Sequence, residues 1–573
     1  MKVARALLRT PRVLGAGLAA LIVGGLGAAG CFVGSEGLSP PTEGFYFPTG
    51  LAASPGGRVL YVANSDFDLQ YNGGTVQALD LQRLRKRTLA LQESLNPREG
   101  GEAGADLRAA CGSLGINAAG VLYPGPCGPL DVAALGGDEA IIRSSAVIGA
   151  FASNVVLVHR PLAEPAPDAA AAPQARLFVP VRGDPSITFF EVADDRPEAP
   201  AATRCGEGDA CFRLDCGATT NGGRCSVDHR VGEIPSREIE RRKLPLEPLG
   251  ISAGPDGESL VVSHHTENKA SLIVNPWTSV GRPQLADVLD DLPAGPTELA
   301  AVPPPRLVRA LGEEAIDYQP AFLLTYVAAP QVDLLRAQAS TDSEPALLFQ
   351  SSSTPITAAA RGVDSRGVAV DASERQACEA GCADADRDCL ARCAEIPVQA
   401  FVAHRNPNAL LVGELTTTLV EDDSGRPDDR WAAAYETLAI RDTAPLAAYP
   451  TRVAVGDVIG VDGARRRRVF ALAFDSGHAF VYDPAARRID AVIRTGRGPQ
   501  AVAFDTGVTC GPEKERCDCT PGEDDGCEPY SLMYIAHFTD SYLGVVDLDM
   551  RKANTFGSMI LTVGKPVPPR ESQ

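Results

Sequence analysis

Three of the seven histidines, His264, His404 and His537, each close a short apolar run: residues 260–264 read LVVSH, 401–404 read FVAH and 533–537 read MYIAH. Three imidazoles brought to one place would suit zinc or another borderline metal, with a further position open for water. A fourth run, LYVAN at residues 60–64, ends in Asn64 instead. A polar side chain at the end of a strand can hydrogen-bond the turn that follows, and that need alone accounts for all four positions. The metal reading requires the fold to bring three strand ends together; the capping reading does not.

A second candidate lies at residues 384–395. Asp384, Asp386, Asp388 and Glu395 stand at positions 1, 3, 5 and 12 of a calcium-loop pattern, but the sixth position, where the sharp turn needs glycine, is Cys389. The same stretch supports a different reading. Cys378 and Cys382 are four residues apart, as are Cys389 and Cys393, a spacing that sets each pair on one helical face. Two short helices could be pinned by Cys378 to Cys393 and Cys382 to Cys389, one of three possible pairings.

The cysteines as a whole point to export. Setting Cys31 aside leaves fourteen of the fifteen, and these fall into even local groups: Cys111 and Cys127; Cys205, Cys211, Cys216 and Cys225; the four just named; and Cys510, Cys517, Cys519 and Cys527. Even groups imply local disulfides in an oxidising compartment. Metal binding by the clusters is the alternative, without the paired CxxC knuckles it would use.

Residues 1–30 read as a targeting segment: Lys2, Arg5, Arg9 and Arg12 precede an apolar stretch at 13–29 that is short and Gly-rich for a membrane span. It ends Ala28-Ala29-Gly30-Cys31, which resembles the bacterial lipobox. That resemblance implies lipidation of Cys31, a partner in the lipid bilayer, and a mature chain of 543 residues tethered by residues 31–44. Phe32 follows Cys31 where an inner-membrane retention signal would place aspartate, so the resemblance implies the outer membrane, facing periplasm or exterior. Net charge is −20, or −24 without the leader's four basic residues. Such a chain repels nucleic acid phosphates and anionic lipid surfaces, so neither is expected as a partner through bulk electrostatics. The one basic block, Arg465 to Arg468, precedes an apolar run and reads as a solvated hairpin end.

The elements that would position these residues are β-hairpins. Each of the four runs is followed by a turn and a second apolar run, at 75–81, 270–274, 409–412 and 542–548. One such unit cannot bury its own apolar faces and must stack on its neighbours. The order Pro48, apolar strand, Ser-Pro-Gly-Gly turn, Tyr-Val-Ala-Asn strand and Val-rich strand resembles the YVTN-type β-propeller repeat, and residues 249–274 and 497–548 repeat it. The resemblance implies an all-β propeller over residues 45–566, most simply of seven blades, followed by a tail at 567–573. The first and last blades begin at Pro48 and near Gly498; between them blades are expected near 144–240, 245–291, 296–357, 362–442 and 446–495. Insertions at 374–397 and 508–531 fall between first and second strands. By resemblance to propellers generally, their loops lie opposite the face that carries a ligand, as disulfide-stapled insertions without a hydrophobic core of their own, one a small helical hairpin.

Serine-hydrolase, nucleotide-loop, HExxH and CxxCH motifs are absent, and no cofactor is expected. Two functions are weighed, beside a third possibility of a passive envelope component with no specific ligand. The first is a lipid-anchored binding or scaffold module presenting loops to a protein or glycan partner. The alternative is a propeller enzyme, a lactonase-like hydrolase or quinone-linked dehydrogenase, whose site would be assembled from loops of different blades without a contiguous signature.

Overall fold

A computed structural model describes residues 37–96, 109, 111–112, 125–162, 172–206, 208–218, 221–310, 318–341, 343–356, 362–421, 431–511, 513–521 and 526–567. Cys31 and the leader lie outside them. The described chain folds into seven antiparallel sheets: six are four-stranded meanders, and the last adds a short strand, Glu515–Arg516, outside the first strand of its own four-stranded meander. Their first strands are Pro48–Ala53, Val156–His159, Pro248–Ala253, Pro296–Val302, Ser365–Asp371, Arg452–Ile459 and Pro499–Cys510. The sheets form a seven-bladed β-propeller.

The second strands explain why their sequences are apolar without alternation. Val59–Asn64 is buried along its whole length. Leu60 and Val62 enter the core shared with blade seven, while Val59, Tyr61 and Ala63 enter the core shared with blade two. Blade seven divides in the same way, Leu532, Tyr534 and Ala536 toward blade one and Met533 and Ile535 toward blade six. The two-residue period of a strand thus feeds two different cores. Seven such cores exist, one between each neighbouring pair of blades.

Register sets the two faces of the disc. The first residue of a blade's first, inner strand pairs with the last of the second, or in blade five the last but one: Pro48 with Asn64, Pro248 with His264, Pro296 with Tyr326, Ser365 with His404, Pro499 with His537. Links between second and third strands therefore share one face with the blade-to-blade connections. The other links emerge on the opposite face, and every disulfide is found there: Cys111–Cys127, Cys205–Cys211, Cys216–Cys225, Cys378–Cys393, Cys382–Cys389, Cys510–Cys517 and Cys519–Cys527. The 378–393 module is a hairpin of two helices, α3 (Ser373–Ala380) and α4 (Arg387–Ala394). It has a small core of its own with Leu307 of the short helix α2 (Arg306–Ala310), Leu390 and Ala391, which the sequence reading of a coreless loop did not foresee.

Sequence and structure part at blade one. Its fourth strand is Ile142–Val147, paired to Thr75–Asp80, so residues 144–147 belong to blade one and not to blade two. Between those strands comes a long insertion that begins with helix α1 (Leu81–Leu95), capped by the Asp80 carboxylate on the Arg83 amide. This insertion closes the ring. Leu130 forms a parallel bridge to Val563 of the last strand, and the amides of Leu130 and Gly564 donate to Thr562 and Leu130 carbonyls at 2.8 Å. First and last blades share no strand; the latch substitutes for one.

Candidate functional site

His264, His404 and His537 are fully buried, each at the end of its own second strand. His264 bonds the Ser271 hydroxyl at 2.7 Å and the Leu246 carbonyl at 3.3 Å. His404 bonds the Ser365 hydroxyl at 3.0 Å and the Asn406 carbonyl at 2.9 Å. His537 accepts the Gly496 amide at 2.9 Å and stacks on Tyr542 at 4.4 Å. Burial pulls the pKa of His264 and of His537 down to about 3 and lowers that of His404. Each imidazole stays in its own blade as a neutral cap. Among the described residues, the only metal-type clusters within 4.8 Å are Cys382 with Cys389 and Cys393, and His159 with Asp194 and Asp195; the three capping histidines form none.

The cysteine cluster is disulfide-bonded. Asp194 is held by Arg196 at 2.7 Å, and Asp195 accepts from Ser54 and the Gly56 and Arg58 amides. The carboxylates read as a calcium loop are all exposed and do not gather: Asp384 pairs with Arg306, and Asp386 caps α4 through the Cys389 amide at 2.9 Å. The basic block at 465–468 is absorbed by acids, Arg466 by Asp462, Arg467 by Asp457, and Arg468 by Asp483 and Asp490.

The structure places its concave site elsewhere, on the axis of the face free of disulfides. Before five of the inner strands the chain takes a positive-φ step: Phe47 at 48°, Glu247 at 51°, Gly295 at 72°, Asp364 at 84° and Gly498 at 67°. Proline follows in four of the five. This step turns each chain inward, and the inner strands then run so close that a Cβ on Gly50, Gly250 or Gly367 would lie 2.8 Å or less from the next blade's backbone. Above that narrow throat the strand starts and the links between second and third strands surround a depression with two lobes of about 460 and 210 Å³. They share Arg182, Leu249, Phe474 and Gln500.

The larger lobe interleaves donors and acceptors. Arg182 pairs with Glu247 at 2.8 Å, Arg366 with Asp364 at 2.6 Å, Arg405 with Asp475 at 2.9 Å, and Arg452 with Glu298. Glu298 also accepts from Asn154 at 3.0 Å, and Arg405 lies over the Tyr449 ring. Burial draws the pKa of Arg452 down to about 10, still cationic at neutral pH. Each guanidinium has its counter-ion, so the lobe carries planar polar forks without an excess of charge. The smaller lobe is aromatic. Phe67 is 51 % exposed and touches Phe47, Phe151 and Phe538 with ring centroids 5.2–6.0 Å apart.

Sequence reading missed this site because its wall is assembled from several blades that lie far apart in the chain. A signal was present: the residues at and just after the inward step recur at the start of each repeat.

No known family model matches the sequence, and no curated protein is similar to it. Among solved structures, a hydrazine synthase of Kuenenia stuttgartiensis is 10% identical, covering 90% of this chain and 99% of that one, with a TM-score of 0.38. A periplasmic gluconolactonase of Pseudomonas aeruginosa is 13% identical over 79% of this chain and 86% of that one, TM-score 0.39. A dihydro-heme d1 dehydrogenase is 10% identical over 92% and 68%, TM-score 0.35. The functional reading below rests on the site's own geometry.

Proposed function

We propose that this chain is a lipid-anchored binding module of the bacterial cell envelope, built on YVTN-type repeats, whose axial depression takes a neutral carbohydrate. The single observation that carries the ligand class is the pairing of four guanidiniums with four carboxylates beside an exposed phenylalanine. Sugar hydroxyls both donate and accept, so neighbouring hydroxyls match alternating guanidinium and carboxylate edges. The apolar C–H face of a pyranose lies flat on an aromatic ring. An anion would find these arginines already neutralised. A charge-free ligand asks no ion pair to break, only the exposed edges of each pair to be bridged.

The test is calorimetric titration of the full chain with a panel of neutral and acidic oligosaccharides, followed by product analysis. Saturable binding of a neutral sugar, recovered unchanged and lost in Phe67→Ala, supports the reading. Turnover of the sugar would support the enzyme alternative, and binding of acidic sugars alone would refute the proposed ligand class.

A further inference from the structure

The disulfide-bearing face holds a second cavity, of about 450 Å³, enclosed by α1, the first turn of blade one and the stapled loops of blades two and seven. Its wall carries Arg58, Arg83, Lys86, Arg143 and Arg516 against Asp80, Glu513 and Glu515. A sixth cation, Arg85, is neutralised by Asp505 at 2.7 Å. Cations therefore outnumber anions here in a chain whose net charge is −20.

Among the acidic partners on the wall only Asp80 is well buried, and it pairs with Arg83 at 3.1 Å and Arg143 at 3.2 Å. Arg143 lies 4.9 Å over the Phe212 ring and reaches Asp80 at 3.2 Å, which fixes the plane of its fork. Its second partner, Asp209, is 85% exposed, and Glu513, which pairs with Lys86, is 61% exposed. Both carboxylates ride on loops closed by short disulfides, Cys205–Cys211 and Cys510–Cys517. Ion pairs this exposed contribute little and are displaced at small cost. The Arg58 backbone amide is engaged by Asp195, but its guanidinium has no partner among the described residues.

We infer that this cavity binds a phosphate group, free or at the head of a larger amphiphile. Planar guanidinium forks grip a tetrahedral oxyanion through paired N–H donors, and Lys86 adds a point charge. In this arrangement Arg58 and Arg143 take the phosphate oxygens and the loop carboxylates Asp209 and Glu513 swing out.

The experiment titrates the full chain, in zwitterionic detergent, with inorganic phosphate by calorimetry. In parallel, its retention is measured on phosphatidylcholine vesicles with and without phosphatidic acid. Phosphate binding that weakens about tenfold or more in Arg58→Glu, and stays unchanged in the axial variant Arg366→Ala, supports the site. Retention only on phosphatidic acid, lost in Arg58→Glu, supports it with a lipid headgroup as the source. Because the Arg58 guanidinium forms no hydrogen bond or ion pair among the described residues, that variant is expected to fold; unchanged melting by circular dichroism checks it, and Arg58→Gln serves if it does not. Binding of neither probe, or equal binding by wild type and Arg58→Glu, overturns the inference.

Discussion

Arg85 and Asp505 are 420 residues apart in sequence and 2.7 Å apart in the folded chain. Both are 1% exposed, and the same guanidinium reaches the Gly57 carbonyl at 2.6 Å. One residue belongs to the insertion of blade one and the other to the inner strand of blade seven, so the pair spans the seam of the ring. Burial opposes the charge of Arg85, and the Asp505 carboxylate, together with Tyr530 and Tyr534, more than offsets it.

Removing one partner leaves a buried charge uncompensated, which costs about 3–5 kcal/mol. Arg85→Met is therefore expected to lose that much in denaturant unfolding, with hydrogen exchange rising first along Pro499–Cys510 and Pro48–Ala53. Exchange that rises evenly through all blades would show that the pair does not guard the seam.

Stability should fall in acid. The unfolded imidazoles of His264 and His537 take a proton near 6.5, while the folded ones resist it until about 3. Their penalty is absent above 6.5 and grows as pH drops from there toward 3. Asp547, raised by burial from 3.8 to about 6, acts in the opposite sense, its contribution lost as pH rises through that range. The clean readout is a difference: His264→Asn with His537→Asn, copying Asn64, should flatten the acid loss relative to wild type. Parallel pH curves for the two proteins would contradict this.

Close approach of the inner strands predicts a backbone effect. The Cβ of Gly250→Ala would meet the Thr297 carbonyl oxygen at 2.2 Å, and backbone cannot step aside cheaply. A loss of about 1–3 kcal/mol is expected, against a much smaller change for Gly136→Ala, where nothing lies within 4 Å.

Disulfides should differ in reach. Replacing Cys378 and Cys393 by alanine is expected to raise exchange in α3 and α4 and leave the blades protected, because that hairpin packs on a small core of its own. Replacing Cys111 and Cys127 removes a staple packed on Leu91 of α1 and should cost about 2–4 kcal/mol of global stability.

The wheel of blades was legible because its evidence is local: an apolar strand, a turn and a second strand are contiguous in each repeat. The 378–393 staple was legible for the same reason, through the four-residue spacing. Blade one's last strand was not, since more than sixty residues separate Thr75–Asp80 from Ile142–Val147 and nothing in the intervening residues records the pairing. The axial depression was hidden more deeply. Arg182, Glu298, Arg366 and Arg452 become neighbours only when the ring closes, so their type carries no meaning until the throat is known. The histidines drew attention by being rare; yet a buried strand end needs a hydrogen-bonding cap, and His264 and His404 spend both ring nitrogens on it.

The seam between Leu130 and Val563 also bears on where the polypeptide could begin. Since no blade borrows a strand from the opposite terminus, every blade is a continuous stretch of chain, and Phe45 sits directly against Gly564. A short peptide joining these two points, with new ends opened at any other blade junction, would rearrange the order of translation without dividing a sheet.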